Sequence, residues 1–321
     1  MAVPTLLLDR LRLPVIGAPM FIVSTPALVT AQCKAGIVGA FPALNARPAA
    51  QLEDWLAQIG EELAAYASAN PHAKVAPFAV NQIVHPSNDR LEHDIRSCVT
   101  YRVPIVITSL SPPGELVSAV HGYGGMVFHD VINVRHAEKA AAQGVDGIIA
   151  VCAGAGGHAG LLSPFALVKQ IRQVYAGTVI LAGAMSSGAD VLAAQALGAD
   201  LAYLGTRFIA TTEANASAAY KQMLVDSRAE DIVYTSLFSG VHGNYLRGSV
   251  ANTGMDPDRL PETENTKMSF GSGDSGALKA WKEIWSAGQS VSGIHEVETV
   301  AAVVERMAGE YHAARARIHC A

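Results

Sequence analysis

The sequence predicts an α/β chain folded as a (β/α)8 TIM barrel, with a smaller, partly helical insertion after the eighth strand. Three observations carry this expectation. Eight short β-rich runs alternate with Ala-rich segments of helical length. The runs do not alternate apolar with polar residues, as suits strands buried on both faces. No Gly-x-Gly-x-x-Gly follows the first run, which argues against the rival doubly wound sheet.

The first run is Leu13–Ala18 (LPVIGA), followed by a helical segment, Ser24–Ala35, that opens Ser-Thr-Pro and closes at Gly36. The second run is Ile37–Phe41. The helix predicted over Pro48–Ala69 carries apolar residues at Leu52, Trp55, Leu56, Ile59 and Leu63, a 3.6-residue period. Val75–Val80, Pro104–Ser109 and Gly125–His129 are the third to fifth runs. The helix Asn133–Gln143 ends at Gly144 and precedes the sixth run, Gly147–Val151. Ser163–Tyr175 opens Ser-Pro and ends at Gly177; the seventh run is Thr178–Gly183. Ser187–Leu197 ends at Gly198, and Asp200–Gly205 is the eighth run. The rhythm breaks after about Thr212.

Residues 226–283 are polar and turn-rich. They are expected to form an excursion over the C-terminal mouth of the barrel, with Phe238, His242, Tyr245 and Arg247 of the block Ser236–Gly248 as pocket walls. A solvated insertion without function is the plainer alternative. Glu296–Arg317 is helical again and would close the ring. The chain is thus divided into a barrel (1–225), an insertion or lid (226–283) and a C-terminal segment returning to the barrel (284–321).

A chain of 321 residues fits one barrel plus an insertion. Hydrophobic residues at 50% against 16% charged exclude intrinsic disorder. A net charge of −5 without a Lys/Arg-rich run argues against nucleic acid. No apolar run approaches the ~18 residues of a spanning helix, and the opening MAVPTLLLDRLRLP is too short in apolar length for a signal peptide. The four cysteines, Cys33, Cys98, Cys152 and Cys320, form no CxxC pair. A reduced, cytoplasmic protein without a metal site is expected.

In a barrel, chemistry sits where strands end. The seventh run ends Ala182-Gly183-Ala184 and the eighth Gly205-Thr206-Arg207. Small residues let backbone approach a ligand, and N–H groups hold an anion. These two loops are the usual phosphate position of phosphate-binding barrels. After the sixth run, three of the four residues before His158 are Gly, Gly157 among them. Such a loop holds the imidazole out as a donor, a base or an anion partner. Ala18, Pro19 and Met20 offer a flat platform after the first run, and Asn81 an amide after the third. A late small-residue turn, Ile284–Ser290, adds Gln289.

Taken together, GAPM, VNQ, VRHAEKA followed by GVDGI, GGHAG, LAGAMSSG, ALGADLAYLGTRFIAT and IWSAGQ resemble the nitronate monooxygenase family, formerly called 2-nitropropane dioxygenases. The resemblance implies a flavoprotein barrel holding non-covalent FMN. Gly183, Ala184, Gly205 and Thr206 would hold the phosphate. Ala18, Pro19 and Met20 would lie against the isoalloxazine, with Asn81 on the flavin side and Gly157, Ala182 and Gln289 completing the cofactor set. His158 would stand in the substrate pocket, as a base toward a nitroalkane or as a donor toward a nitronate. The implied activity is oxidation of alkyl nitronates with O2 to carbonyl compounds and nitrite, with nitroalkanes left open as substrates. NAD(P)H:quinone or enoyl-thioester reduction on the same barrel is the alternative, and a non-redox phosphate-binding barrel enzyme the third reading. Expected partners are a small molecule, a nitronate or another small anion, and O2, with a homodimer left open. One position departs from the pattern. Many relatives carry Lys after the His that ends the fifth run, whereas this chain reads His129-Asp130-Val131.

Overall fold

The computed structural model describes residues 3–261 and 284–319. Six parallel strands precede the first irregularity: β1 (Val15–Gly17), β2 (Gly39–Pro42), β3 (Phe78–Val84), β4 (Ile105–Leu110), β5 (Met126–Val131) and β6 (Gly147–Val151). The two-residue β7 (Gly157–His158) follows, and then β8 (Thr178–Ala182) and β9 (Leu201–Leu204). All but β7 form one parallel sheet in the order β1-β9-β8-β6-β5-β4-β3-β2. It closes through a parallel bridge between Ile16 and Val38: Gly17 N donates to Val38 O (2.7 Å) and Val38 N to Val15 O (3.1 Å). The eight predicted runs are the eight barrel strands, with ends displaced by up to four residues.

The ring outside the sheet consists of α1 (Pro26–Lys34), α2 (Gln51–Ala69), α3 (Leu91–Thr100), α4 (Leu116–His121), α5 (Val134–Ala142), α6 (Pro164–Val174) and α7 (Gly188–Leu197). Local chemistry sets their ends. Ser163 and Asn133 accept from backbone N–H groups of the first turn, and Ser187 with Asp190 forms a capping box. On α2, Leu52, Leu56, Ile59 and Leu63 are buried along one stripe. Each such side chain contributes roughly 1.5–3 kcal/mol of burial. After β9 comes only the single turn α8 (Thr206–Ile209), then α9 (Ala218–Asp226).

The excursion contains β10 (Ile232–Thr235), β11 (Gly243–Leu246) and α10 (Arg247–Asn252); its stretch 262–283 and Cys320 lie outside the described residues. β10 and β11 pair antiparallel, and β11 pairs with β7, Gly243 opposite His158. The excursion is thereby stitched to the loop at the C-terminal end of β6. The last helix, α11 (Val300–His319), packs on α7 and α1 and fills the ring position that α8 is too short to take. Among the described residues no helix is long and apolar enough to cross a membrane.

Candidate active site

Alternation along each strand decides what the barrel shows at its C-terminal end. Inside the barrel, Ile16, Ala79, Ile105, Ile107, Phe128, Ile180 and Leu201 form one buried apolar cluster. Two residues further along, the same inward series reach Asn81 on β3, Ser109 on β4, Asp130 on β5 and Tyr203 on β9. These four line a cavity of about 600 Å³. A polar layer thus lies on an apolar plug.

The layer is hydrogen-bonded in one direction. Asn81 Nδ2 donates to Ser109 Oγ (2.8 Å), and Ser109 Oγ donates to Asp130 Oδ2 (2.5 Å). Burial pushes the Asp130 pKa up to about 6, against hydrogen bonds from Ser109 and the Leu110 N–H that pull it down. Burial, with the Asp130 charge adding to it, also keeps the Tyr203 phenol protonated. His129 faces away from the cavity: it is buried and its Nδ1 meets Thr108 Oγ1 at 2.8 Å.

The opposite wall joins distant segments. A Cβ at Gly156 would lie 2.8 Å from Gly288 N and 2.9 Å from Thr206 Oγ1, so only Gly permits this approach. Gly288 N donates to Thr206 Oγ1 (2.9 Å), Gln289 N to Gly154 O (2.9 Å) and Asn244 Nδ2 to Ala155 O (2.6 Å). At the end of β8, Gly183 (φ +146°) and Ala184 (φ +53°) turn the backbone toward the cavity. Ser286 Oγ is buried in this wall without a hydrogen-bond partner among the described residues. Next to Thr206, the buried Arg207 pairs with Glu298, while its Nε and Nη1 have no partner among the described residues.

His158 is held by β7. Its Nε2 lies 2.7 Å from Ser239 Oγ, which in turn donates to Val241 O (2.9 Å). When the Ser239 hydroxyl donates its proton to Nε2 instead, the neutral imidazole carries its own on Nδ1 and donates from there. Burial lowers its pKa to about 4, so the ring is neutral at pH 7.

Ala18, Pro19, Met20, Asn81, Gly157 and His158 all line the one cavity. So do Ala182, Gly183, Ala184, Gly205 and Thr206. Gln289 does not. Its side chain is exposed, and its backbone fastens the 154–158 loop from outside. Of the excursion, Val241 reaches the cavity, whereas Tyr245 is buried against Phe238 (ring centroids 5.0 Å apart) and Arg247 pairs with Asp258 (2.8 Å).

The family model for nitronate monooxygenase matches residues 5–307. The chain belongs to the nitronate monooxygenase family. Within that family, the nitronate monooxygenase of Paraburkholderia phytofirmans is 28% identical over 312 residues, covering 84% of this chain and 82% of that protein. Two solved structures share the barrel. FabK from Thermotoga maritima superposes with a TM-score of 0.77 at 23% identity, over 99% of each chain. Nitroalkane oxidase from Streptomyces ansochromogenes does so with 0.74 at 22% identity, over 98% of this chain and 100% of that one. Membership of the nitronate monooxygenase family makes the chain an oxidoreductase of the monooxygenase type. Ser109, Tyr203, Ser239 and Ser286 were not legible as site residues. Each lies on a strand or turn whose direction is set by partners far along the sequence.

Proposed function

We propose that this protein binds FMN and oxidises alkyl nitronates with O2 to carbonyl compounds and nitrite. One observation carries the reading: in a chain of this family, the Gly turns, the flat apolar wall and His158 open into a single cavity. The residues present suit the cofactor. Backbone N–H groups at Gly183–Ala184 and Gly205–Thr206 are the donors a phosphate needs. The Thr206 hydroxyl and the orphaned Ser286 hydroxyl stand in the same wall. Ala18, Pro19 and Met20 present an apolar face to a ring, and about 600 Å³ lies within the usual range of cofactor sites. When bound, FMN supplies the electron acceptor for the substrate and the route of those electrons to O2.

The chain does the rest. His158, neutral and fixed by Ser239, donates to the nitro oxygens of a bound nitronate and orients it; such a bond contributes about 0.5–1.5 kcal/mol. Pairing of β7 with β11 keeps the ring in place while Val241 and Trp285 narrow the mouth. The decisive experiment is steady-state turnover of purified protein with propionate 3-nitronate, against NADH plus a quinone, following oxygen and nitrite. Oxygen uptake with nitrite release supports the reading. Quinone reduction without nitrite would move the protein to the reductases, and colourless protein without flavin to the non-redox barrels.

A further inference from the structure

Asp130 is the one carboxyl among the described residues that line the cavity, and nitronate oxidation gives it no task. An ionised carboxylate there repels an anionic substrate. Yet the group is placed with care. It ends the inward series Met126, Phe128, Asp130 of β5, so it faces the cavity over the apolar plug. Ser109 of β4 holds it, and Asn81 of β3 holds Ser109, which fixes three side chains on adjacent strands. Leu110 adopts φ +79°, in the left-handed region disfavoured for a residue with a Cβ, and its N–H bonds to the same carboxyl. Backbone strain kept at a pocket residue is a mark of function.

Three ionisable groups around it leave the proton to Asp130. Tyr203 of β9 stays a phenol, and His158 is a weak base with a pKa near 4. His129, its neighbour on β5, is likewise lowered to about 4 by burial. His136 of α5 and Arg47 also line the cavity, and among the described residues no Lys or Arg forms a salt bridge with Asp130.

We propose that Asp130 is the proton acceptor of this site and that it extends the substrate range to neutral nitroalkanes. The α-C–H bond of the substrate breaks, its proton forms an O–H bond on the Asp130 carboxylate, and the electron pair moves onto the nitro group. The product is the nitronate that the oxidation consumes, so the proposal rests on that reading. The proton then passes to water at the cavity mouth. A carboxyl raised to about 6 is ionised at pH 7 and still close enough to that pH to be an effective base. A neutral ligand also enters beside it without charge repulsion.

The test is anaerobic exchange of the α-hydrogens of nitroethane into D2O by the flavin-loaded protein, followed by proton NMR across pH 5–8. Exchange should rise through about pH 6. Asp130→Asn should slow it by about 10²-fold or more, and the ratio of nitroethane to ethylnitronate turnover should fall by a similar factor. Ser109→Ala removes a hydrogen bond that lowers the Asp130 pKa, so the midpoint should move to higher pH. That shift decides the matter if Asp130→Asn does not fold. Exchange by Asp130→Asn at the wild-type rate, or an unmoved midpoint in Ser109→Ala, overturns the proposal. Nitrite release from ethylnitronate is scored separately. Nitrite without exchange refutes Asp130 alone, whereas exchange without nitrite keeps Asp130 and refutes the nitronate reading.

Discussion

Removing the Glu298 carboxylate should destabilise the fold by about 3–5 kcal/mol, the usual effect of stranding a buried charge. The figure follows from the surroundings of Arg207. Its side chain is wholly inaccessible, and of its three guanidinium nitrogens two have no partner among the described residues. Burial alone pushes the guanidinium pKa down, and the Glu298 charge opposes that. Glu298 also meets Arg306 at 2.6 Å, but Arg306 is 40% exposed and such a pair contributes at most ~1 kcal/mol. Nearly all of the effect therefore comes from Arg207. Glu298→Gln keeps an acceptor and should cost less than Glu298→Ala. Arg207→Met combined with Glu298→Leu removes both charges and should recover most of the loss. Urea unfolding at pH 7 measures these differences, provided the denaturant slope stays constant. Glu298→Ala within 1 kcal/mol of wild type, or a double variant no more stable than it, would refute the argument. Because Arg207 follows Thr206, weakened flavin retention should accompany the loss of stability.

Three further outcomes are expected. In Gly183→Ala, a Cβ 3.0 Å from Ala153 O at φ +146° adds ~1–3 kcal/mol of strain; Gly205→Leu leaves its Cβ in ordinary contact at 3.5 Å from Ala18 but fills cavity space. Both should lose flavin, measured by absorbance of the purified protein, and full stoichiometric flavin in Gly205→Leu would dismiss the phosphate turn. His158→Asn should lower nitronate kcat/KM about tenfold, the equivalent of one hydrogen bond, with flavin content near normal; unchanged kinetics would leave His158 a plain loop residue. Stability should fall from pH 6.5 toward 4. Over that range the unfolded chain binds protons that His129 and His158, lowered to about 4, refuse in the folded state. Asp130 acts with the opposite sign, since its raised carboxyl favours folding at low pH and that contribution is lost as pH rises through about 6. Two groups outweigh one, so the urea midpoint at pH 4.5 should lie below that at pH 7, and His129→Gln should flatten the difference. Equal midpoints at the two pH values would contradict this.

Much of the barrel was legible because strands buried on both faces write continuous apolar runs, and because Gly and capping residues punctuate the helices between them. Of the polar layer only Asn81 was, and for Asp130 the reason is two residues. The fifth apolar run ends at His129, whereas β5 continues through Val131, and alternation within the strand then turns Asp130 inward. A strand of two residues such as β7 has no local signal at all. Its partner, β11, begins 85 residues after His158, and nothing near His158 in the sequence points to it. The exposed side chain of Gln289 is equally nonlocal, set by the bond of its backbone to Gly154.

The pairing of β7 with β11 has a further meaning for how such a site can vary. The barrel strands supply the turns proposed to hold the cofactor, but the imidazole is aimed by Ser239 and Gly243, which belong to a separate stretch of chain. Changes confined to residues 229–246 can therefore reset the angle and protonation of His158 while the eight strands keep their sequence. Grafting that stretch from one such barrel onto another would transplant substrate preference as a cassette, with flavin retention inherited independently from the host.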